Sequence, residues 1–403
     1  MEELPVGRRV AYWRGRRKMS QQVFADRIGK SKSWVDKVER GERRLDKFST
    51  LHELATVLQV SVDTLLGRKS STAKVTPTDP IDLEPLRAAL ARYAPAALPE
   101  SSGPALDELA RAVGHAWLTF QHARYDTLVP ALPTLLRRAG AAQVCHTGDG
   151  AVTAARLLGQ VYQVSSSVAR KLGAFDLARL TAERSIALAP YADDPLLAGT
   201  GTTRFANALL AAGDDRAAFE ANVVMAHRLA PDGPTWSDPN RVSVYGSLLL
   251  QATMAAARMG DDASVRELLR EATVAAARLG ADANRYWTSF GPTNVELHRA
   301  AAAVELSEGR QAVTIHRGLN RRLFDALPPE RRAQHLLDVA RGHVLLGDLT
   351  RAGKALVEAE QHAPAEIRGR PVAHDVMTGI LRRTRGVPPA MVTELADRMG
   401  VRV

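Results

Sequence analysis

Apolar residues recur at helical spacing along nearly the whole chain, and no stretch alternates in the two-residue rhythm of a half-buried strand. Over residues 6–18, Val6, Val10 and Trp13 share one helical face. Ser20 precedes QQVFADRI, Ser31 precedes KSWVDKVERG and Ser61 precedes VDTLL; each serine stands where a side-chain oxygen caps a helix start. Gly29 and Gly41 follow the second and third segments, where a left-handed residue ends a helix. A further segment over about 48–58 aligns Leu51, Leu54 and Leu58, with Asp46 as the cap in front of Lys47. The pattern predicts five short helices within residues 6–66. The tight turn Gly29-Lys30 joins the second and third as a helix-turn-helix, with Phe24, Ala25, Ile28, Val35 and Val38 as core.

Residues 68–82 are polar, contain two prolines and show no apolar period, so they read as a linker between a domain at 1–67 and a second at 83–403. The second domain is rich in Ala, Leu and Arg and looks repetitive. Segments 162–190, 203–231, 247–280, 295–319 and 336–364 each join two helices through a small-residue turn. The glycines expected at those turns are Gly173, Gly213, Gly260, Gly309 and Gly347, spaced 40, 47, 49 and 38 residues apart. That is longer than the tetratricopeptide period of about 34, so longer loops are expected between helix pairs.

Charge sharpens the division. The net formal charge is +10. Residues 1–69 hold 16 Lys and Arg against 9 Asp and Glu, a net of +7, leaving +3 for the other 334. A small domain with concentrated positive charge is the footprint of a polyanion binder. The one cysteine, Cys145, excludes an internal disulfide and a Cys-rich zinc site. No signal-peptide pattern and no long apolar run is found, so a cytoplasmic location is expected. No nucleophile elbow, phosphate-binding loop or HExxH zinc motif occurs, and GTGTTR at 199–204 lacks the third glycine of a dinucleotide fingerprint. His115 and His122 have no carboxylate partner to make a metal site. No enzyme activity, cofactor or metal is expected.

The stretch from Met19 to Gly67 carries S-Q-x-x-F-A-x-x-I-G, then K-S-K-S-W-V-x-x-V-E-x-G, L-x-x-L-A-x-x-L and V-S-x-D-x-L-L-G. This resembles the XRE, or Cro-type, helix-turn-helix regulators. The resemblance implies a lambda-repressor-like five-helix DNA reader. It maps the exposed recognition-helix positions to Lys32, Ser33 and Lys37; Lys32 and Ser33 are assigned to base edges, Gln21, Arg40, Arg43 and Arg44 mainly to the backbone, and Lys30, Ser31 and Trp34 complete the DNA-binding set.

Farther along, Trp117, Phe120, Arg124 and Tyr125, then the run from Tyr162 to KLGxxDLA, and FGPTNVELH at 290–298 more loosely resemble actinobacterial regulators that fuse such a head to a tetratricopeptide-like sensor. The fold implied is all-α, the head followed by a tetratricopeptide-like α-solenoid. Candidate groove residues for a peptide, small-molecule or protein effector are Tyr125, Tyr162, Arg170, Asn207, Asn222, Tyr245, Tyr286, Trp287, Asn294 and His298. The loops at 231–241 and 281–294 are unusually long and aromatic. The reading is a homodimeric, DNA-binding transcriptional regulator that does not engage membranes. Its competitors are a repeat scaffold whose head no longer reads DNA and an enzyme built in the helical groove.

Overall fold

The computed structural model describes residues 5–43, 45, 50, 54–55, 57–58, 60, 81–91, 103–384 and 387–402. Among them every regular element is a helix, relieved only by an isolated bridge between Ala283 and Phe290. Contacts divide the chain into two units, Met1–Thr76 and Pro77–Val403.

In the first unit, α1 (Val6–Arg16), α2 (Gln21–Arg27) and α3 (Lys32–Glu39) follow the expected order. Helix α1 stops two residues short of the expected Lys18, which takes a left-handed φ of 50°. Ser20 accepts the Val23 N–H and Ser31 the Trp34 N–H, both at 3.2 Å. Caps of this kind are worth about 1 kcal/mol each. Val10, Phe24, Ala25, Val35, Leu54, Ala55 and Leu58 form the buried core, with Trp13, Ile28 and Trp34 packed against it. Gly7 lets α1 lie on α3, because a Cβ there would stand 1.9 Å from the Val38 carbonyl oxygen. The expected fifth helix, Asp46, Lys47, Leu51 and most of the linker lie outside the described residues.

The second unit begins with α4 (Glu84–Ala91), α5 (Leu106–Gln121) and α6 (Tyr125–Cys145). Five antiparallel pairs follow: α7 (Gly148–Lys171) with α8 (Phe175–Leu188), α9 (Pro195–Ala212) with α10 (Asp215–Leu229), α11 (Pro239–Met259) with α12 (Asp262–Leu279), α13 (Pro292–Glu305) with α14 (Gly309–Gly318), and α16 (Pro329–Leu345) with α17 (Leu349–His362). A short α15 (Arg321–Ala326) precedes the last pair; α18 (Pro364–Arg368), α19 (Pro371–Arg383) and α20 (Ala390–Arg398) end the unit. GTGTTR falls inside α9 and is helical.

The same turn chemistry joins three of the pairs. At α9–α10, Gly213 has φ 87°, its N–H reaches Leu210 O, and the Asp214 N–H reaches Leu209 O. Asp214 then caps α10 through the Ala217 N–H. This double bond satisfies the last carbonyls of one helix, and the aspartate satisfies the first amides of the next. Gly173, Gly260 and Gly347 repeat the positive φ. Gly309 does not. In that turn Ser307 takes the left-handed place, at φ 68°. Gly309 instead opens α14 where a Cβ would lie 2.7 Å from the Gly342 carbonyl oxygen of α16. Its small size serves packing between pairs, not the turn.

The two ends of the array meet. Helix α5 packs on α16, and one apolar cluster runs through Leu109, Trp117, Val161, Leu336, Leu356 and Met377. Lys171, the last residue of α7, donates to Glu330 on α16 and, at 2.7 Å, to Glu366 on α18. Tyr125 at the start of α6 donates to the same Glu366, and Arg370 contacts it at 2.9 Å. A buried ionic cluster therefore joins α6 and α7 to α16 and α18.

Candidate nucleic-acid interface and repeat interior

The N-terminal half of α3 presents an uncovered polar surface. Lys30, Ser31, Lys32, Ser33 and Lys37 are exposed, and the three lysines have no ion-pair partner among the described residues. Trp34 is half-buried against the core, so the scaffold holds one side of its ring. The Arg43 guanidinium lies 5.7 Å from that ring's centre. Arg40, expected on phosphates, is taken up by Asp36 and, at 3.1 Å, by Glu42, so a phosphate would have to exchange with a carboxylate there. Arg44 lies outside the described residues.

Behind this face lies a device the sequence reading missed. Glu39 is 5 % exposed. Arg14 grips it with two bonds of 2.6 and 3.0 Å, and the Gln21 amide donates to it at 2.9 Å. The Glu39 hydrogen bond raises the Arg14 pKa further, against the cost of burial. Arg14 also donates to the Met19 carbonyl at 2.6 Å. One buried carboxylate thus locks the ends of α1 and α3 and the first residue of α2. Gln21 keeps its carbonyl oxygen unbonded among the described residues. The E-x-G signature at Glu39 was visible, but its partner Arg14 lies 25 residues away.

In the repeat unit, several expected groove residues prove to be internal. Asn222 is 0 % exposed and donates to the Ala218 carbonyl one turn back at 2.9 Å, so it offers a ligand no surface. Tyr245 is buried, donates to Glu271 and packs edge-on against Trp236 at 6.3 Å. Tyr125 belongs to the Glu366 cluster. Tyr162 is half-buried beneath Arg184 at 5.9 Å.

The aromatic loop at 281–294 folds onto the array itself. Tyr286, Trp287 and Ser289 all have positive φ, an expense that only a well-determined setting sustains. The setting is visible. Trp287 stacks on Trp117 of α5 with centres 5.7 Å apart, and its indole N–H donates to Gln160 of α7 at 3.2 Å. Asn284 and Gln121 exchange amide bonds of 2.9 and 3.1 Å, and Tyr286 donates to Asp194 at 3.1 Å. Phe290 presses on Gly246 of α11, where a Cβ would stand 2.0 Å from the ring. Trp287 and Tyr286 are therefore engaged with the chain's own helices, which removes them as free groove aromatics.

Polar residues from separate pairs do converge nearby. Arg204, 9 % exposed, lies 5.3 Å from the centre of the Trp117 ring. Burial pulls its guanidinium down to about 10, helped by the charges of Arg331 and Arg170. His298 accepts the Gln251 amide and bonds the Asn294 carbonyl through Nδ1 at 2.9 Å, an arrangement that suits the neutral ring protonated on Nδ1. Burial, with Arg331 beside it, lowers its pKa to about 4. The Asn294 side-chain oxygen is buried without a partner, and Asn207 is half-buried with none among the described residues. Arg331 and Arg204 were missed because nothing separates them from the chain's other arginines until their neighbours are known.

No group of three metal-ligating side chains is found among the described residues, and none of their helices is long and apolar enough to cross a membrane. No curated protein and no solved structure matches the chain. A family model described as a helix-turn-helix domain matches residues 5–66, so the chain carries an N-terminal helix-turn-helix domain of the kind found in DNA-binding regulators.

Proposed function

We propose that this protein is a sequence-specific transcriptional regulator of the XRE type whose second unit is a tetratricopeptide-like sensor. The observation that carries the reading is the combination of a helix-turn-helix domain with an exposed α3 face whose lysines have no acidic partner among the described residues. Lys32 and Ser33 stand in the first turn of α3, the part of a recognition helix that reaches base edges. Lys30, Ser31, Lys37 and Arg43 flank it and meet phosphates, and Gln21 joins them through the second N–H of its amide or by releasing Glu39. Trp34 meets the DNA only along its open edge. The repeat unit dimerises the chain and sets two heads on half-sites about one helical turn apart. An effector bound in it shifts the balance between two curvatures of the array, and operator affinity follows by the difference in its affinity for the two states.

Crosslinking and sequencing of DNA bound in cells tests this, comparing wild type with Lys32→Ala, Lys37→Ala. Sharp peaks sharing an inverted repeat, lost in the variant, are expected. A flat profile from both proteins removes the regulator reading and leaves the repeat scaffold in its place.

A further inference from the structure

Arg170 from the end of α7, Arg204 from α9, and Arg331 from the start of α16 are far apart in the chain, yet their charges act on one another or on the same carboxylate. The local charges do not balance. Five cations gather there: Arg170, Lys171, Arg204, Arg331 and Arg370. Among the described residues two carboxylates answer them. Glu330 and Glu366 are both taken by Lys171, and Glu366 by Arg370 as well. Arg170, Arg204 and Arg331 have no ion pair among the described residues, and the Arg331 Nε is buried with no hydrogen bond. Buried charge without a partner is costly, and a guanidinium offers several donors in a planar fork that fits carboxylate and phosphate oxygens. Beside Arg331 stands His298. One turn before it on α13 is Asn294, whose buried side-chain oxygen lacks a donor among the described residues.

We propose that this interior site binds a small organic anion, its phosphate or carboxylate oxygens held by Arg170, Arg204 and Arg331 and a hydroxyl or amide donor of the ligand held by Asn294. The Trp117 ring, covered on one side by Trp287, is the apolar wall. The ligand supplies the negative charge that α7, α9 and α16 lack at this point, so it binds most tightly to the state in which those helices meet. The regulatory consequence rests on the sensor reading above; the site itself does not.

The test is thermal unfolding of the full chain in sodium chloride against ionic-strength-matched inorganic phosphate, pyrophosphate and citrate. The expected result is a saturable rise in Tm of roughly 3 °C at millimolar probe. Pyrophosphate exceeding citrate assigns the oxygens to a phosphate, and the reverse to a carboxylate. The double variant Arg170→Gln, Arg331→Gln is expected to lose the response while its Tm in chloride stays level or rises, because like-charge repulsion is relieved. Lys32→Ala, Lys37→Ala is expected to keep the response, which separates the interior from the basic head. No response to any probe overturns the proposal, as does a response retained in the double variant. A fall in the double variant's Tm in chloride also overturns it, because these arginines would then be structural. If the wild-type response appears but leaves operator affinity unchanged, the site stands and the sensor reading fails.

Discussion

The α3 face of the head and the interior of the repeat unit both gather cations without matching acids, and they do so under opposite conditions. On α3 the lysines are in water, where an unpaired charge costs almost nothing and stays available to a polyanion. In the interior, Arg204 lies over Trp117 and feels the charges of two other arginines, away from water. The first arrangement is ready for a large partner that brings its own counterions to release. The second is costly until something small enters. Cationic side chains therefore do different work in the two places, and burial decides which.

The sharpest way to break the comparison is to remove a carboxylate from the interior. Glu366 is fully buried and holds Lys171, Arg370 and Tyr125. Burial alone would raise its pKa, but Lys171 and Arg370 outweigh that and keep it ionised. Glu366→Gln strands those cations and is expected to destabilise the repeat unit by about 3–5 kcal/mol in urea unfolding, the usual cost of halving a buried ion pair. A loss below about 1 kcal/mol would mean that Glu366 does not tie the array's ends together.

The head is expected to behave in the opposite sense. Lys32→Ala, Lys37→Ala removes exposed side chains with no ion-pair partner among the described residues, so unfolding should move by no more than about 0.5 kcal/mol. Operator affinity, measured by fluorescence anisotropy, should fall roughly 100-fold, about 2.7 kcal/mol, for a base contact plus a phosphate contact. Equal losses of stability and affinity would show that these lysines support the fold and do not read DNA.

Much of this architecture was legible because its causes are local. Ser20, Ser31, Gly29 and Gly41 mark the helix-turn-helix, and the Gly-Asp turns at Gly213, Gly260 and Gly347 mark three of the helix pairs. Each signal acts within one turn of helix. What could not be read depends on distance along the chain. Gly309 has the spacing of a turn glycine, but its role is set by Gly342. Trp287 looked like a free aromatic, and only the folded array shows it stacked on Trp117. Asn222 lies on a helix of the repeat, and nothing local tells that its face is buried. In a chain with 54 Lys and Arg, an arginine that lacks an acid looks like any other.

Acid sharpens the comparison further, since the interior also holds neutral imidazoles. Burial lowers His298 to about 4 and His335 to about 3, from 6.5. Arg331 adds to the shift at His298, and His316 at His335. The unfolded chain takes up these protons near pH 6.5, and the folded chain does not. Their stabilisation is complete above pH 6.5 and declines as pH falls, levelling off only below the folded values. At pH 5 the loss is about 2 kcal/mol for each histidine, read from urea midpoints between pH 7 and 5. His335→Gln should flatten the dependence, and an unchanged profile would show that His335 is not held neutral by the fold.

The smallest effect lies where the two regimes meet on one residue. Arg43 is exposed, yet its guanidinium lies over Trp34 at 5.7 Å. An exposed contact of this type is worth about 0.5–1 kcal/mol, so Arg43→Ala should cost the head no more than that. A phosphate contact has another signature. Losing it lowers the slope of log affinity against log salt by about 1, with the sequence preference unchanged. The two readouts are independent. A lower slope with little loss of stability places Arg43 with the solvated cations of α3, drawn to the backbone when DNA arrives. An unchanged slope with the full stability loss binds it to Trp34, and the positive face then ends at Lys37.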